Sequence, residues 1–137
     1  NRCRRQRQMC IRDRENPYVL NYLAYSWLER NYKIELSMEM LKEAYDLRKN
    51  DPYITDSLGW GYYLINDFEN AEKYLKKAVE LMPYDPIVND HYGDILWMLN
   101  RKIQARYFWN NVLNLEETDD EMKIDVKKKI IYGIEKT

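Results

Sequence analysis

The stretch DPYITDSLGWGYYLINDFENAEKYLKKAVELMPYD, residues 51–85, holds the pattern of two helices and the signals that start and stop each. Asp51-Pro52 opens it. Asp at an N-cap accepts a hydrogen bond from an orphan amide of the first turn. Pro at the first helical position loses nothing, because its missing N–H had no partner there. Asn66-Asp67 interrupts the pattern and places Asp67 to cap a second helix. Beyond it Ala71, Tyr74, Leu75, Ala78, Val79 and Leu81 form an i, i+3, i+4, i+7, i+8 stripe, one face of a helix. Pro83 then closes the unit, and Asp85-Pro86 opens the next.

The same unit recurs on either side. Asn16-Pro17 lies 35 residues before Asp51-Pro52, and Asp85-Pro86 lies 34 after it. Moving the stripe forward by 34 gives Ala105, Phe108, Trp109, Val112, Leu113 and Leu115. Moving it back gives Ser37, Met40, Leu41, Ala44, Tyr45 and Leu47. In the first helix of each unit Ala24, Gly59 and Gly93 are small, which lets two helices approach closely, and Trp27, Tyr62 and Leu96 follow as large apolar filler. Gly inside a helix costs about 1 kcal/mol against Ala, so its use at two equivalent positions implies a packing reason. Asn31-Tyr32 and Asn100-Arg101 break the flanking units. Helices are expected near 18–31, 34–49, 53–66, 68–82, 87–100, 102–116 and 119–135.

The last of these has its own logic. Thr118 followed by Glu121 has the capping-box form. Met122, Val126, Ile130 and Ile134 make the apolar stripe, and Lys127, Lys128 and Lys129 are assigned to the outward side. Lysines near a helix end also suit its dipole. The segment reads as a capping helix that covers the last unit.

The whole pattern resembles the tetratricopeptide repeat, a helix–turn–helix of about 34 residues. Leu58, Gly59, Tyr62, Ala71, Ala78 and Pro83 sit at that motif's signature positions. The last unit keeps Gly93, Leu96, Ala105 and Trp109 but lacks the closing proline, and the first has Ala24 and Ser37 in place of glycine and alanine. The resemblance implies an all-α, right-handed solenoid of three helix pairs (16–51, 52–85 and 86–118) with a capping helix over 119–137. DSLGWGYY (56–63), NDHYGDILW (89–97) and QARYFW (104–109) also resemble the C-terminal end of larger bacterial repeat proteins, best represented in alphaproteobacteria. That implies a longer parent chain and a cell-envelope setting over a cytoplasmic one. The first helix, around Leu20 and Leu23, would then have lost a neighbour and would expose an apolar edge suited to self-association.

Composition narrows the function classes. Residues 1–14 (NRCRRQRQMCIRDR) hold six Arg and one acid, and both cysteines, Cys3 and Cys10. Without them, 22 basic and 23 acidic residues become 16 and 22, a balance of −6. An acidic body repels a phosphate backbone, so no nucleic-acid partner is expected. The head's Arg-only basic usage contrasts with the Lys-rich body. It resembles translated adapter sequence and is read as non-native, the alternative being a disordered basic arm. No run of 18 apolar residues exists, so no membrane span is expected.

Candidate chemistry is sparse. His91 is the sole histidine. With Asp90 and Asp94 it is thin for a metal site, and a hydrogen-bonded packing histidine is the alternative. No Ser or Cys nucleophile has a paired base, and Gly59-Trp60-Gly61 lies inside an expected helix and is no phosphate loop. No enzyme activity, cofactor or metal is expected. In the family it resembles, the first helix of each unit lines the concave face. That places Asn21, Tyr25 and Leu28, then Asp56, Trp60 and Tyr63, then Asp90, Asp94 and Trp97 along a groove, extended by Tyr18, Tyr53, Leu64 and Met98. Aromatic side chains are typical anchors, and three carboxylates beside them favour a protein or peptide bearing Lys or Arg. The two-carboxylate clamp of chaperone-binding repeats needs Lys and Asn in this groove, and Asp56 and Asp90 argue against that ligand. The alternative is that Trp60 and Trp97 fill inter-repeat packing while Asp56 and Asp90 are solvated surface acids. The expected function is a protein-binding scaffold. The alternatives are an architectural or self-association arm, or an accessory domain of an enzyme.

Overall fold

The structure, a computed structural model, describes residues 16–135. The Arg-rich head lies outside them. Among the described residues seven helices run in order: α1 (Pro17–Glu29), α2 (Ile34–Leu47), α3 (Pro52–Leu64), α4 (Phe68–Leu81), α5 (Pro86–Met98), α6 (Lys102–Asn114) and α7 (Asp120–Tyr132). The capping logic holds at the start of each unit. Asn16 Oδ1 accepts from the amides of Tyr18 and Val19, Asp51 from those of Tyr53 and Ile54, and Asp85 from that of Val88. Asp67 caps α4 by accepting from the Asn70 amide. Each first helix ends at an asparagine in the left-handed region, with φ of 55° at Asn31, 67° at Asn66 and 66° at Asn100. Asn tolerates that conformation better than other non-glycine residues, and it turns the chain back so that the second helix can lie on the first.

The capping box at Thr118 is a correction. Asp119 is the N-cap of α7 and accepts from the Met122 amide. Thr118 is 5% exposed, and its hydroxyl donates to the Val112 carbonyl at 2.6 Å. The threonine therefore ties the turn to α6 instead of starting α7. An acid at the next position was the better cap, and sequence spacing alone could not choose between the two.

Within each unit the second helix lays its stripe on the first. Leu41, Ala44, Ala71, Leu75, Ala78, Ala105, Trp109 and Val112 are fully buried. Leu47 and Leu81, at the ends of their stripes, are exposed. The glycines mark the closest approach. A Cβ on Gly59 would lie 2.8 Å from Leu75 Cγ, and one on Gly93 would lie 2.5 Å from the Trp109 indole. Gly61 does the same job toward the preceding unit, where a Cβ would meet Met38 Sδ at 2.7 Å.

The core forms two clusters, one across α1, α2 and the start of α3, the other from the end of α3 to α7. Tyr62 and Leu64 pack against both. Val126 of α7 is fully buried, with Met122, Ile130 and Ile134 packed against the second cluster, so α7 closes the last unit. At the other end Leu20 is 2% exposed and Leu23 packs against the first cluster. The apolar residues open at that edge are Val19 and Tyr22, not the leucines expected there.

First helices of successive units lie against one another, α1 on α3 and α3 on α5, while the second helices pack chiefly on the first helix of their own unit and the next. The inner row is close and the outer row splays, so the first helices form the concave wall. We expect Leu75→Ala to cost about 2–5 kcal/mol through the cavity it leaves. Gly93→Ala should cost about 1–3 kcal/mol through overpacking against Trp109, despite alanine's better helix propensity. Urea unfolding of both variants measures this.

Candidate functional site: the concave wall

The wall is built from α1, α3, α5 and α7. Helices α3 and α5 are flanked on both sides by other inner helices and covered behind by second helices. They are therefore buried nearly all round, and polar residues placed there must find partners inside the protein.

They do so with one another. His91 of α5 is 7% exposed, and its Nδ1 lies 3.0 Å from both carboxylate oxygens of Asp56 on α3, itself 6% exposed. A carboxylate only accepts, so Nδ1 carries a proton and donates. The imidazole stacks on Trp60, with centroids 3.9 Å apart and planes 12° apart, and Trp60 stacks in turn on Tyr63 at 4.4 Å. One helix further along, Lys129 Nζ of α7 donates to Asp90 Oδ1 at 2.9 Å and to Asp94 Oδ1 and Oδ2 at 2.9 and 3.1 Å. Asp94 Oδ1 also accepts from the Trp109 indole N–H at 3.0 Å. His91–Asp56 and Lys129–Asp94 each span 35 residues and join successive inner helices, the second pair one helical turn further along the repeat than the first.

These contacts revise the reading of individual residues. Lys129, assigned to the outer side of α7, points inward and is the counter-ion of two wall carboxylates. Its signal was present: Tyr25, Trp60, Asp94 and Lys129 continue one row at steps of 35, 34 and 35. Asp56 is not a solvated surface acid. Leu28 and Tyr63, placed on the groove, are each 5% exposed and belong to the core. Trp97 donates its indole N–H to the Ile134 carbonyl at 3.1 Å and lies under Lys102 and Arg106, whose cations sit 4.9 and 5.0 Å from its ring. It ties the end of the chain to the last unit. Asn21 and Tyr25 remain on the open half of the wall. The Asn21 Oδ1 atom is buried without a hydrogen-bond partner. The Tyr25 hydroxyl is raised in pKa by burial, then by Glu29 and Asp56. Glu29 was not foreseen. Tyr18 and Tyr53, expected to extend the groove, are about half exposed, and so is Ile87, one repeat after Tyr53.

Burial works to lower the His91 pKa, but the Asp56 carboxylate, with Asp94 and Asp90 behind it, raises it above the ordinary 6.5. Asp94 is pushed up to about 6 by burial and then by Asp90, against the pull of Lys129 and His91. Burial likewise opposes the charge on Lys129, and Asp94 and Asp90 hold it in place.

Both shifts give stability the same sign. A histidine with a raised folded pKa stabilises fully below 6.5, and that contribution is lost as pH rises through the folded value. Asp94 favours its protonated form in the folded state, so its contribution also falls as pH rises from 3.8 to about 6. We expect the sole imidazole to titrate above 6.5 by NMR and its midpoint to fall in Asp56→Asn, where burial is opposed only by Asp94 and Asp90. Resistance to urea should decline as pH rises through the His91 midpoint, and His91→Ala at acidic pH should cost about 3 kcal/mol by leaving Asp56 buried without its partner.

The geometry agrees with known proteins of one kind. No family model matches the chain. A TPR repeat-containing protein of Pseudomonas aeruginosa is 33% identical over 69 residues, a match spanning 50% of this chain and 12% of that protein. Among solved structures, a TPR protein of Thermus thermophilus superposes with a TM-score of 0.74 at 18% identity, covering 88% of this chain and 66% of that one. The first TPR of Spaghetti, bound to an HSP90 peptide, gives 0.70 at 18% identity, covering 82% and 89%. The Yersinia enterocolitica secretion chaperone SycD, in complex with a peptide of the translocator YopD, gives 0.70 at 16% identity, covering 82% and 87%. With its helix pairs and repeat positions, this chain has the fold of tetratricopeptide-repeat proteins.

Proposed function

We propose that the chain is a protein-interaction module whose concave wall binds an extended segment carrying Lys or Arg. The observation that supports this most is a charge imbalance on the wall. Asp56, Asp90 and Asp94 face two internal cations, His91 and Lys129, and Glu29 adds a further carboxylate beside Tyr25 on the open half. Cationic side chains gain there from charge and from stacking on tyrosine. The exposed residues Tyr18, Tyr53 and Ile87 offer the apolar surface that an extended backbone would cross. Two of the similar structures hold peptides, which fits such a use. The resemblance to chaperone-binding repeats does not carry over to the ligand, because Asp56, Asp90 and Asp94 on this wall would disfavour an acidic peptide.

The test is titration calorimetry with matched peptides in which Lys is exchanged for Glu. The Lys form should bind and the Glu form should not. Tyr53→Ala should weaken binding about fivefold, since hot-spot truncations cost 1 kcal/mol or more, with the helical circular dichroism unchanged. Equal binding of both peptides would reject the reading.

A second reading draws on the open edge of α1. Val19 is 36% exposed and Tyr22 76% exposed, which supports self-association through that edge. Sedimentation should then show a dimer that Tyr22→Lys dissolves.

A further inference from the structure

The proposed groove rests on carboxylates that are already partly neutralised from within, and the two internal cations differ in kind. Lys129 keeps its charge, because Asp94 and Asp90 raise its pKa further. His91 loses its charge as pH rises through its midpoint, which burial lowers but Asp56, Asp94 and Asp90 together raise above the ordinary 6.5. Its Nδ1 proton is fixed on Asp56, so the proton that leaves is the one on Nε2. The hydrogen bond to Asp56 then stays and only the positive charge goes. The stacked Trp60 ring, 3.9 Å from the imidazole, favours the charged form as any aromatic face does a cation.

The groups around this proton come from every inner helix. Asp56 lies on α3, with Tyr63, whose burial keeps its hydroxyl neutral. Asp90 and Asp94 lie on α5 with His91 itself, and Lys129 reaches them from α7. Tyr25 and Glu29 stand toward Asp56 from α1, and burial keeps the Tyr25 hydroxyl neutral. With His91 charged, the carboxylates Asp56, Asp90 and Asp94 meet two cations. With it neutral they meet one.

We propose that the wall is proton-gated: the Nε2 proton of His91, whose ring is held between Asp56 and the Trp60 ring, competes with a bound cationic segment for the same carboxylates, so binding strengthens as that proton leaves. This rests on the groove reading above, and the competition is a coupling between two ligands, a proton and a peptide. Such coupling is reciprocal. A tenfold gain in peptide affinity on deprotonation requires the peptide to lower the His91 midpoint by about one pH unit.

The experiment uses the whole chain and penta-lysine amide at low salt, where screening is weak. Lysine side chains titrate near 10.4, so the probe's side-chain charge stays constant between about pH 5.5 and about pH 8.5. Affinity should rise about tenfold across that range. Saturating probe should lower the imidazole midpoint by about one unit, a signal without ambiguity because the chain has one histidine. His91→Gln should flatten the pH dependence to the smaller part that Asp94, with its midpoint of about 6, supplies. Binding that is equal at all pH values, with an unmoved His91 midpoint, overturns the proton gate and leaves the groove reading standing. A pH dependence unchanged in His91→Gln overturns the assignment to His91. Absence of binding at every pH overturns both readings. If His91→Gln does not fold, the titration of the unaltered protein decides alone.

Discussion

Everything in this molecule depends on how closely the second helix of each unit can approach the first. At Gly59 and Gly93 the backbones come near enough for Leu75 and Trp109 to take the space a side chain would fill. That approach hides the apolar stripe of α4 and α6, and it also fixes the angle at which the next unit must leave. A helix pair standing alone would leave its first helix uncovered on one flank. Stacking the next pair against it removes that surface from water, which is the main favourable term in folding.

The stacking has an electrostatic consequence. Once α3 and α5 are enclosed by their neighbours, any acid on the inner face is desolvated, and a buried charge without a partner is costly. The protein answers with a cation at each of two junctions, His91 from α5 to Asp56 and Lys129 from α7 to Asp94 and Asp90. The capping helix thus does more than cover the last unit, because it brings the counter-ion for two acids of the wall. Trp97 and Trp109 reinforce that junction, the first holding the chain at Ile134 and the second donating to Asp94. Geometry and charge are therefore solved together, and the half of the wall nearer α1 keeps its exposed tyrosines, Tyr18 and Tyr53.

Much of this was legible in the residue pattern. The Asn-Pro and Asp-Pro caps, the recurring stripe and the asparagine turns are local signals. Each is set by backbone chemistry within a few residues, and each was found where the repeat placed it. Helix ends fell within three residues of the expected positions. The misreadings share one cause. Leu28 and Tyr63 were assigned to an open groove because they occupy groove-facing positions on a single helix, and spacing on one helix says nothing about what the neighbouring helix covers. Lys129 was turned outward because lysine usually is, although the 35-residue step from Asp94 pointed the other way.

What the sequence determined by itself is the unit: where each helix begins and ends, which face is apolar, and that the unit repeats. These follow from hydrogen bonds and periodicities that operate along the chain. What only the tertiary structure decided is which polar residues face one another across the junctions between units, and so which charges of the wall are answered from within. That outcome depends on distances of about 3 Å between residues 35 positions apart, and such distances are set by the stacking of whole helices, not by any local preference.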